Sequence, residues 1–535
     1  MSFHRLPFPI RADHQRVFDL LTQVSAKFDP PIVLRIAGGW VRNSLLKLPC
    51  NDFDVAIETT SSEHSKVVTG EIFANVLMEY QRQRGGETRS IGVIKRNPQQ
   101  SKHIEAASTH IYGIPVDFLH LRREEYFGQD HRIPVVASGT IHEDALRRDF
   151  TVNALYYNLH TGEVEDYVGG TSDLAKKVLR CPLDPHETFL DDPLRVLRGI
   201  RFAAQFDLSI DAAITHSAQS PEIQHALLHK VSRERVSKEI TLSVERSGPL
   251  RTFHLLRALL CLESTFRFTP AGRTATQSNF ASMTIPLEWQ PGEHDFIEKL
   301  AARIEEVQPP LPSRAVGFFL AVFVHRACAG EDVDRIESVL VDSLKLSKKM
   351  TSEVLRLICA SMAFVDLLSA LCRTLNFSDP LAVTQSLREI IHPKGVPLRV
   401  VPGMQPDGVP STRIELFTLL RSLEDVHYRP ALLCAVEFCF HRGDVNFHGF
   451  SSDSLYRMID ETLQSDPSKL VECHAWRPML RGNQITKHLS ISGPAIKSAL
   501  RKILHLAVDY PQLRVEDIIQ LAQQSPSYFS GGGKK

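Results

Sequence analysis

The sequence predicts an α/β (α+β) domain in its first third and an all-helical remainder. Short β-branched runs, Ile32–Ala37, Asp54–Ile57, Ile111–Phe118 and Val164–Val168, alternate with helical stretches in that first third, and glycine pairs interrupt them. From about Asp191 onward the apolar residues recur at helical spacing. The runs are Leu194–Phe206, Val231–Ser247, Arg251–Leu262, Ile297–Val307, Arg314–Ala327, Ser352–Leu375, Arg413–Leu423 and Pro494–Val508. Pro- and Gly-rich breaks near Phe268–Gly292, Gln308–Pro312 and His392–Pro410 are candidate boundaries. With 535 residues the chain is too long for one core.

Composition excludes some classes. The chain has 62 Lys+Arg against 62 Asp+Glu, so no overall basic charge advertises nucleic-acid binding, although a balanced total can conceal a basic face. No uninterrupted run of about eighteen apolar residues occurs, so neither a spanning helix nor a membrane partner is expected. The first residues lack an apolar core of the secretory kind, and Arg5, Arg11 and Arg16 are offset by Asp13 and Asp19, too weak a bias for a mitochondrial presequence. The nine cysteines contain no C-x-x-C pair. Cys434, Cys439 and His441 come nearest to a cluster and read as helix and core residues, in keeping with a reducing compartment. Ser525–Lys535, ending in Gly-Gly-Gly-Lys-Lys, reads as a disordered tail.

The segment Arg35–Ile57 (RIAGGWVRNSLLKLPCNDFDVAI) carries the first chemistry. A buried strand runs into Gly38-Gly39, whose lack of side chains lets backbone and helix N-terminus approach a phosphate, and Arg42 follows on the helix. The next strand carries Asp52 and Asp54, which alternation places on one face with Phe53 on the other. Two adjacent carboxylates repel unless a cation lies between them, and Mg²⁺ is the cation that oxygen ligands and phosphates share. Asp117 stands in the apolar run Ile111–Leu119, where a lone charge is costly. Three convergent carboxylates suit two-metal, in-line attack of a hydroxyl on an α-phosphate.

Two further segments are rich in arginine. Leu146–Asn158 (LRRDFTVNALYYN) offers Arg147 and Arg148 as fork-like donors for phosphate oxygens, and Asp149 as an acceptor for a ribose hydroxyl. In Thr188–Phe206 (TFLDDPLRVLRGIRFAAQF), Pro193 fits a first helical position with Asp192 as its N-cap. Capping leaves Arg195, Arg198 and Arg201 unexplained; spaced by three on an otherwise apolar helix, they need an anionic partner. From Arg195 to Arg257 there are ten Lys/Arg against six Asp/Glu, a modest local basic surface.

These motifs resemble a known family. The GG-x-V-R segment followed by D-x-D is similar to the signature of polymerase β-like nucleotidyltransferases, with Asn43 where the family usually has Asp. R-R-D-F-x-x-N-A, from Arg147 through Asn153, resembles the second motif of class II tRNA nucleotidyltransferases and bacterial poly(A) polymerases. Asp191-Asp192-x-x-Arg195 resembles the class II acidic-Asp-x-x-Arg motif, with Asp191 where many members have Glu. Val231–Ile240 resembles the next motif, E-R-x-x-x-E, and implies that Glu234, Arg235 and Glu239 brace the helix before it. Lys95-Arg96-Asn97-Pro98, within the glycine-containing basic segment Gln81–His103, resembles a flexible element of eukaryotic members, and Arg477–Gln520 resembles the family's tRNA-holding tail, with Lys487, Lys497, Arg501 and Lys502 as candidates.

The resemblance implies a catalytic head with a mixed sheet over residues 1–185, a helical neck over 186–265, a body over 266–440 and a tail over 441–535. It implies addition of C, C and A to tRNA 3′ ends from CTP and ATP, with Mg²⁺ on Asp52 and Asp54 and with Asp117 as ligand or base. Gly38, Gly39, Arg42, Arg148, Asp149, Asn153, Asp192, Arg195, Arg198 and Arg201 would bind nucleotide. Cytosine and adenine each present an amine where uracil and guanine present a carbonyl, so Asp192 accepting from the amine and Arg195 donating to the ring would select C and A. A rejected base that leaves buried groups unpaired loses roughly ten- to a thousandfold. The rivals are a poly(A) polymerase, an enzyme adding only CC or only A, and an inert tRNA-binding protein. A cytoplasmic enzyme also serving nucleus and mitochondria, with no stable protein partner, is expected.

Overall fold

The computed structural model describes residues 2–6, 9–58, 68–85, 92–94, 106–125, 135–268 and, between interruptions, much of 285–524. The described residues fall into two compact units. One runs from the N-terminus to Arg267 apart from residues 248–250, and the other comprises most of the remainder. Lys95–Pro98, most of Gln81–His103 and Ser525–Lys535 lie outside the described residues.

The first unit is built on an eight-stranded mixed sheet. Its strands in chain order are β1 (Ser2–Arg5), β2 (Val33–Ala37), β3 (Phe53–Glu58), β4 (Gly92–Ile94), β5 (Ala106–Ile111) and β6 (Ile114–His120), then β9 (Leu155–Asn158) and β10 (Glu163–Asp166). Between them β7 (Arg122–Glu125) and β8 (Val135–Ser138) form a separate antiparallel ribbon. The spatial order is β1-β10-β9-β2-β3-β6-β5-β4. Every neighbouring pair is antiparallel except β3 and β6, whose parallel register sets Asp54 beside Asp117.

Alternation along the strands gives the sheet two unlike faces. Leu34, Ile36, Phe53, Val55, Ile57, Val116 and Phe118 point into a core covered by α1 (Ala12–Ser25) and α3 (Gly70–Gln83). These helices contribute Val17, Phe18, Leu21, Val24, Phe73 and Leu77 to it. Burying each such side chain contributes about 1.5–3 kcal/mol. The other face is lined with small residues, Ala37, Ala56 and Ala154, around Tyr156 and Leu121. Asp54 and Asp117 lie on this second face, exposed between buried neighbours.

Further helices belong to this unit. They are α2 (Gly39–Leu45), α4 (Ile141–Leu146), α5 (Gly170–Ala175), α6 (Pro185–Asp191), α7 (Leu194–Gln205), α8 (Ala212–Ala218), α9 (Pro221–Lys230) and α10 (Arg233–Ser247). The predicted strand Ile111–Phe118 holds from Ile114 onward as part of β6, while Ile111 ends β5. Tyr112 and Gly113 take φ of 51° and 86°, a primed turn that reverses the chain between β5 and β6. The Gly169-Gly170 pair also has a structural role. The Asp166 carboxylate accepts the backbone N–H groups of Val168, Gly169, Gly170 and Thr171 and the Thr171 hydroxyl. Burial would raise its pKa, but these donors hold it below the ordinary carboxylate value.

The second unit is helical. The helix Arg314–Cys328 is buried almost all round and packs against Lys348–Thr374 and Arg429–Arg442. Lys348–Arg373 is long and apolar enough to cross a membrane, with a mean hydropathy of 1.9, although interspersed polar residues break any continuous apolar run. Its Val354, Leu357, Ile358, Phe364 and Leu368 are buried in the unit's core. Cys434 and Cys439 are core residues, and the His441 ring lies 5.1 Å from that of Phe296. In the C-terminal part, Leu480, Ile485, Ile491, Ala499, Ile503 and Ile518 form a small core; Lys487, Lys497 and Arg501 are exposed and Lys502 is half-buried.

A Cβ on Gly170 would meet the Thr151 carbonyl oxygen at 2.1 Å. We expect Gly170→Ala to destabilise the first unit by about 1–3 kcal/mol, the range of overpacked sites. Chemical denaturation reads this directly; an unchanged midpoint would contradict the close approach.

Candidate active site

A cavity of about 520 Å³ opens on the small-residue face. That is nucleotide-sized. Its walls are Gly38, Gly39, Arg42, Asp54, Leu119, Arg147, Arg148, Asp149, Asn153, Asp192, Arg195, Arg198, Phe202 and Arg235. Six arginines against three aspartates make the walls cationic, a lining for a polyanion.

Gly38 is needed at the strand-to-helix turn because it takes φ of 63° and because a Cβ there would lie 3.0 Å from Arg148 Nη1. Its N–H donates to the Leu155 carbonyl at 2.8 Å, tying the turn to β9. Arg42, on α2, is buried. It donates to the Asn153 side chain and to Asn43 Oδ1 (2.8 Å from Nη2), and lies over the Phe206 ring at 4.3 Å. Asn43 in turn donates to the Pro49 carbonyl at 3.0 Å, so the neutral amide orients Arg42 without cancelling its charge. Burial pushes the Arg42 guanidinium down to about 10, still protonated at neutral pH.

Arg148 is held by a network that sequence reasoning did not find. It donates to Asp144 (3.1 Å from Nη2), to the Tyr156 hydroxyl (3.0 Å) and to the Asn153 carbonyl (3.1 Å). Tyr156 itself donates to Asp144 at 2.6 Å, and Arg147 pairs with the other Asp144 oxygen. Burial works against the Asp144 charge, but Arg148 and Arg147 outweigh it and hold the carboxyl down at about 2. An acid three and four residues ahead of two arginines on a helix was a legible signal for Asp144; nothing in the sequence marked Tyr156.

The α7 arginines divide into two kinds. Arg198 pairs with Asp149 at 2.8 Å, and Asp149 also accepts from Asn153 at 3.0 Å. Against the upward push of burial, these partners keep the Asp149 carboxyl at about 2. Arg201 is buried and pairs with Glu239 of α10 at 2.6 Å; it does not reach the cavity, so it ties α7 to α10 instead of facing a phosphate. Arg195 donates to the Arg147 carbonyl at 2.9 Å, while Asp192 accepts from the Leu194 N–H at 3.2 Å and from Arg235 at 2.8 Å. The N-cap of α7 is Pro193 and not Asp192 as expected, because α7 begins at Leu194; Asp192, which ends α6, still accepts the Leu194 N–H and opens onto the cavity. Arg235, expected only as a brace, forms part of the wall; Glu234 is exposed.

Asp52 directly precedes β3 and is exposed, with the Cys50 thiol 3.2 Å from its Oδ1; neither it nor Asp117 lines the cavity. Asp54 does. Its side chain is open to the cavity, yet the surrounding walls strip much of its hydration, and Asp117 and Asp52 add repulsion. Together they outweigh Arg148 and push its carboxyl up to about 6. Hard oxygen donors that repel one another fit a divalent cation. Among the described residues no three His, Cys, Asp or Glu side chains converge into a complete cage. The three-carboxylate convergence expected of Asp52, Asp54 and Asp117 is therefore not formed among the described residues; the strand register brings together Asp54 and Asp117.

Residues 34–180 match the family described as the Poly A polymerase head domain. The mitochondrial CCA tRNA nucleotidyltransferase of Saccharomyces cerevisiae is 45% identical over 244 residues, 45% of this chain and 43% of that protein. A tRNA nucleotidyltransferase of Schizosaccharomyces pombe is 39% identical over 266 residues, 47% of this chain and 53% of that one. The chain therefore spans about half the length of these relatives. The structure of a Thermotoga maritima CCA-adding enzyme complexed with tRNA covers 98% of this chain and is fully covered by it, with a TM-score of 0.58 at 17% identity, which establishes a shared fold. Residues 34–180 thus match a head-domain family model, and the whole chain shares the fold of that enzyme. The N-terminal half of the chain is similar in sequence to these two tRNA nucleotidyltransferases.

The raised Asp54 pKa has a consequence for stability. The folded state binds this proton more tightly than the unfolded chain does, so stability falls as pH rises from the unfolded value of 3.8 through about 6. In chelator, Asp54→Asn should melt higher than the wild type at pH 8, with the advantage gone by about pH 4. Equal melting temperatures at both pH values would refute the lost hydration and crowding of Asp54.

Proposed function

We propose that this chain adds C, C and A, one nucleotide at a time, to the 3′ end of tRNA, using CTP and ATP and releasing pyrophosphate. The observation that carries the reading is a single cavity whose walls contain both an Asp54 carboxylate flanked by Asp117 and a cluster of unequally neutralised arginines. One end supplies chemistry and the other grips a triphosphate. Similarity of the N-terminal half to tRNA nucleotidyltransferases supports tRNA as the acceptor.

Asp54 and Asp52, with Asp117 beside them, would hold Mg²⁺. When bound, the ion neutralises charge on the α-phosphate and on the attacking 3′-oxygen. The chain's own residues do the rest. Arg148, rigid in its Asp144–Tyr156 frame, and Arg42, oriented by Asn43 and Asn153, present preorganised donors to phosphate oxygens. Gly38 and Gly39 leave the backbone bare where the triphosphate must come close. Asp149 is fixed by Arg198 and Asn153 and can accept from a ribose hydroxyl. Asp192 and Arg195, also in the cavity wall, would accept from and donate to the base. A site in the cytosol, with service to nuclear and mitochondrial tRNAs, fits the same reading.

The test supplies tRNA lacking its CCA end with labelled CTP and ATP, together or singly. The expected product gains C, C and A in order, Asp54→Ala loses at least a thousandfold in rate, and Arg195→Ala incorporates UTP. Long A tracts on any RNA would establish a poly(A) polymerase instead. Arrest after CC, or addition of A alone, would establish a partial enzyme.

A further inference from the structure

Arg235 differs from the other arginines of the cavity wall. It comes from α10, the element expected only to brace α7, and its side chain is about half exposed, at 51%. Its Nη2 lies 2.8 Å from Asp192 Oδ2. The other Asp192 oxygen is occupied by the Leu194 N–H at 3.2 Å. The carboxylate is therefore held at both oxygens, one by the backbone of α7 and one by a side chain of a different helix. Arg195, three residues on, is anchored differently: its guanidinium donates to the carbonyls of Arg147 at 2.9 Å and Thr188 at 3.5 Å.

We infer that Arg235 is a specificity-determining positioning residue: it fixes the rotation of the Asp192 carboxylate so that the free lone pair of Oδ2 faces an incoming amine. This rests on the reading that Asp192 and Arg195 select the base. A carboxylate oxygen accepts along two directions, so the Arg235 bond leaves one open. Without Arg235 only the Leu194 N–H restrains the group. The carboxylate then rotates about its Cβ–Cγ bond, and water can satisfy Oδ2 and bridge to a base carbonyl. Discrimination falls because the wrong base no longer faces a fixed acceptor. The charge also has a local role, since Arg235 neutralises Asp192 in the empty cavity without occupying Asp149, which Arg198 already holds. Arg235 makes this contact through a single nitrogen, so a lysine can replace it.

The experiment uses the full chain, tRNA lacking CCA, and CTP against UTP as separate substrates. Arg235→Ala should lower the CTP-to-UTP ratio of kcat/KM about tenfold or more, mostly through faster UTP use, with an unchanged melting temperature. Arg235→Lys should restore most of the ratio. A purely structural brace would lower both substrates alike and leave the ratio in place; that result, or Arg235→Lys as relaxed as the alanine variant, would overturn the inference. Asp192→Ala distinguishes the two levels. If it relaxes the ratio while Arg235→Ala does not, the base-selection reading stands and the inference falls. If Asp192→Ala leaves the ratio intact, base selection by this residue falls and the inference with it.

Discussion

Two carboxylates side by side on parallel strands repel one another, and the first unit is arranged to hold them there. The β3–β6 register sets Asp54 against Asp117. Their backbones are pinned by ladder hydrogen bonds, and the alternate residues Phe53, Val55, Val116 and Phe118 are sunk in the opposite core. Several buried apolar side chains, at about 1.5–3 kcal/mol each, readily outweigh the repulsion. The alanines on the carboxylate face leave space above the sheet instead of filling it. Lost hydration, with repulsion from Asp117 and Asp52 added, pushes the Asp54 carboxyl up to about 6 on the face where a cation could relieve it.

The arginines obey a complementary rule. Each is fixed by a partner that takes part of its charge or none: Asp144 and Tyr156 for Arg148, amides for Arg42, Asp149 for Arg198 and backbone carbonyls for Arg195. Fixing a guanidinium with neutral acceptors preserves its field, which is what binding a triphosphate requires. Asn43 illustrates this. Where the resemblance leads one to expect an aspartate, the amide orients Arg42 as an acid would, yet subtracts nothing from its charge. Arg201 shows the other outcome, a guanidinium matched by Glu239 and retired into the packing of α7 on α10.

Much of this was legible in the sequence because local patterns determine it. Period-two alternation placed Asp54 opposite Phe53, and helical spacing located α7 and α10, although α7 starts one residue later than expected. What escaped depends on distant pairing. Ile111–Phe118 read as one strand because its apolar content continues through Tyr112-Gly113, and only the positive φ values reveal the turn. Tyr156 looked like any apolar strand residue, since nothing local shows that its hydroxyl meets Asp144, twelve residues away. Spacing by three placed Arg195, Arg198 and Arg201 together, yet α10 captures one of them, and that choice belongs to helix packing. The second unit yielded helices but little chemistry, and its buried carboxylates Glu437 and Glu293 are matched within the helix packing, by Lys299 and Arg303 and by Arg326.

On the proposed function, one protein cavity grips a triphosphate and chooses its base with no nucleic acid to template it. Calorimetric titration of the Mg²⁺-loaded chain, free of RNA, with each of the four nucleoside triphosphates tests this most directly. The account predicts saturable binding of CTP and ATP at one site, with UTP and GTP at least about tenfold weaker. Equal affinity for all four, or binding that appears only once RNA is present, would contradict it.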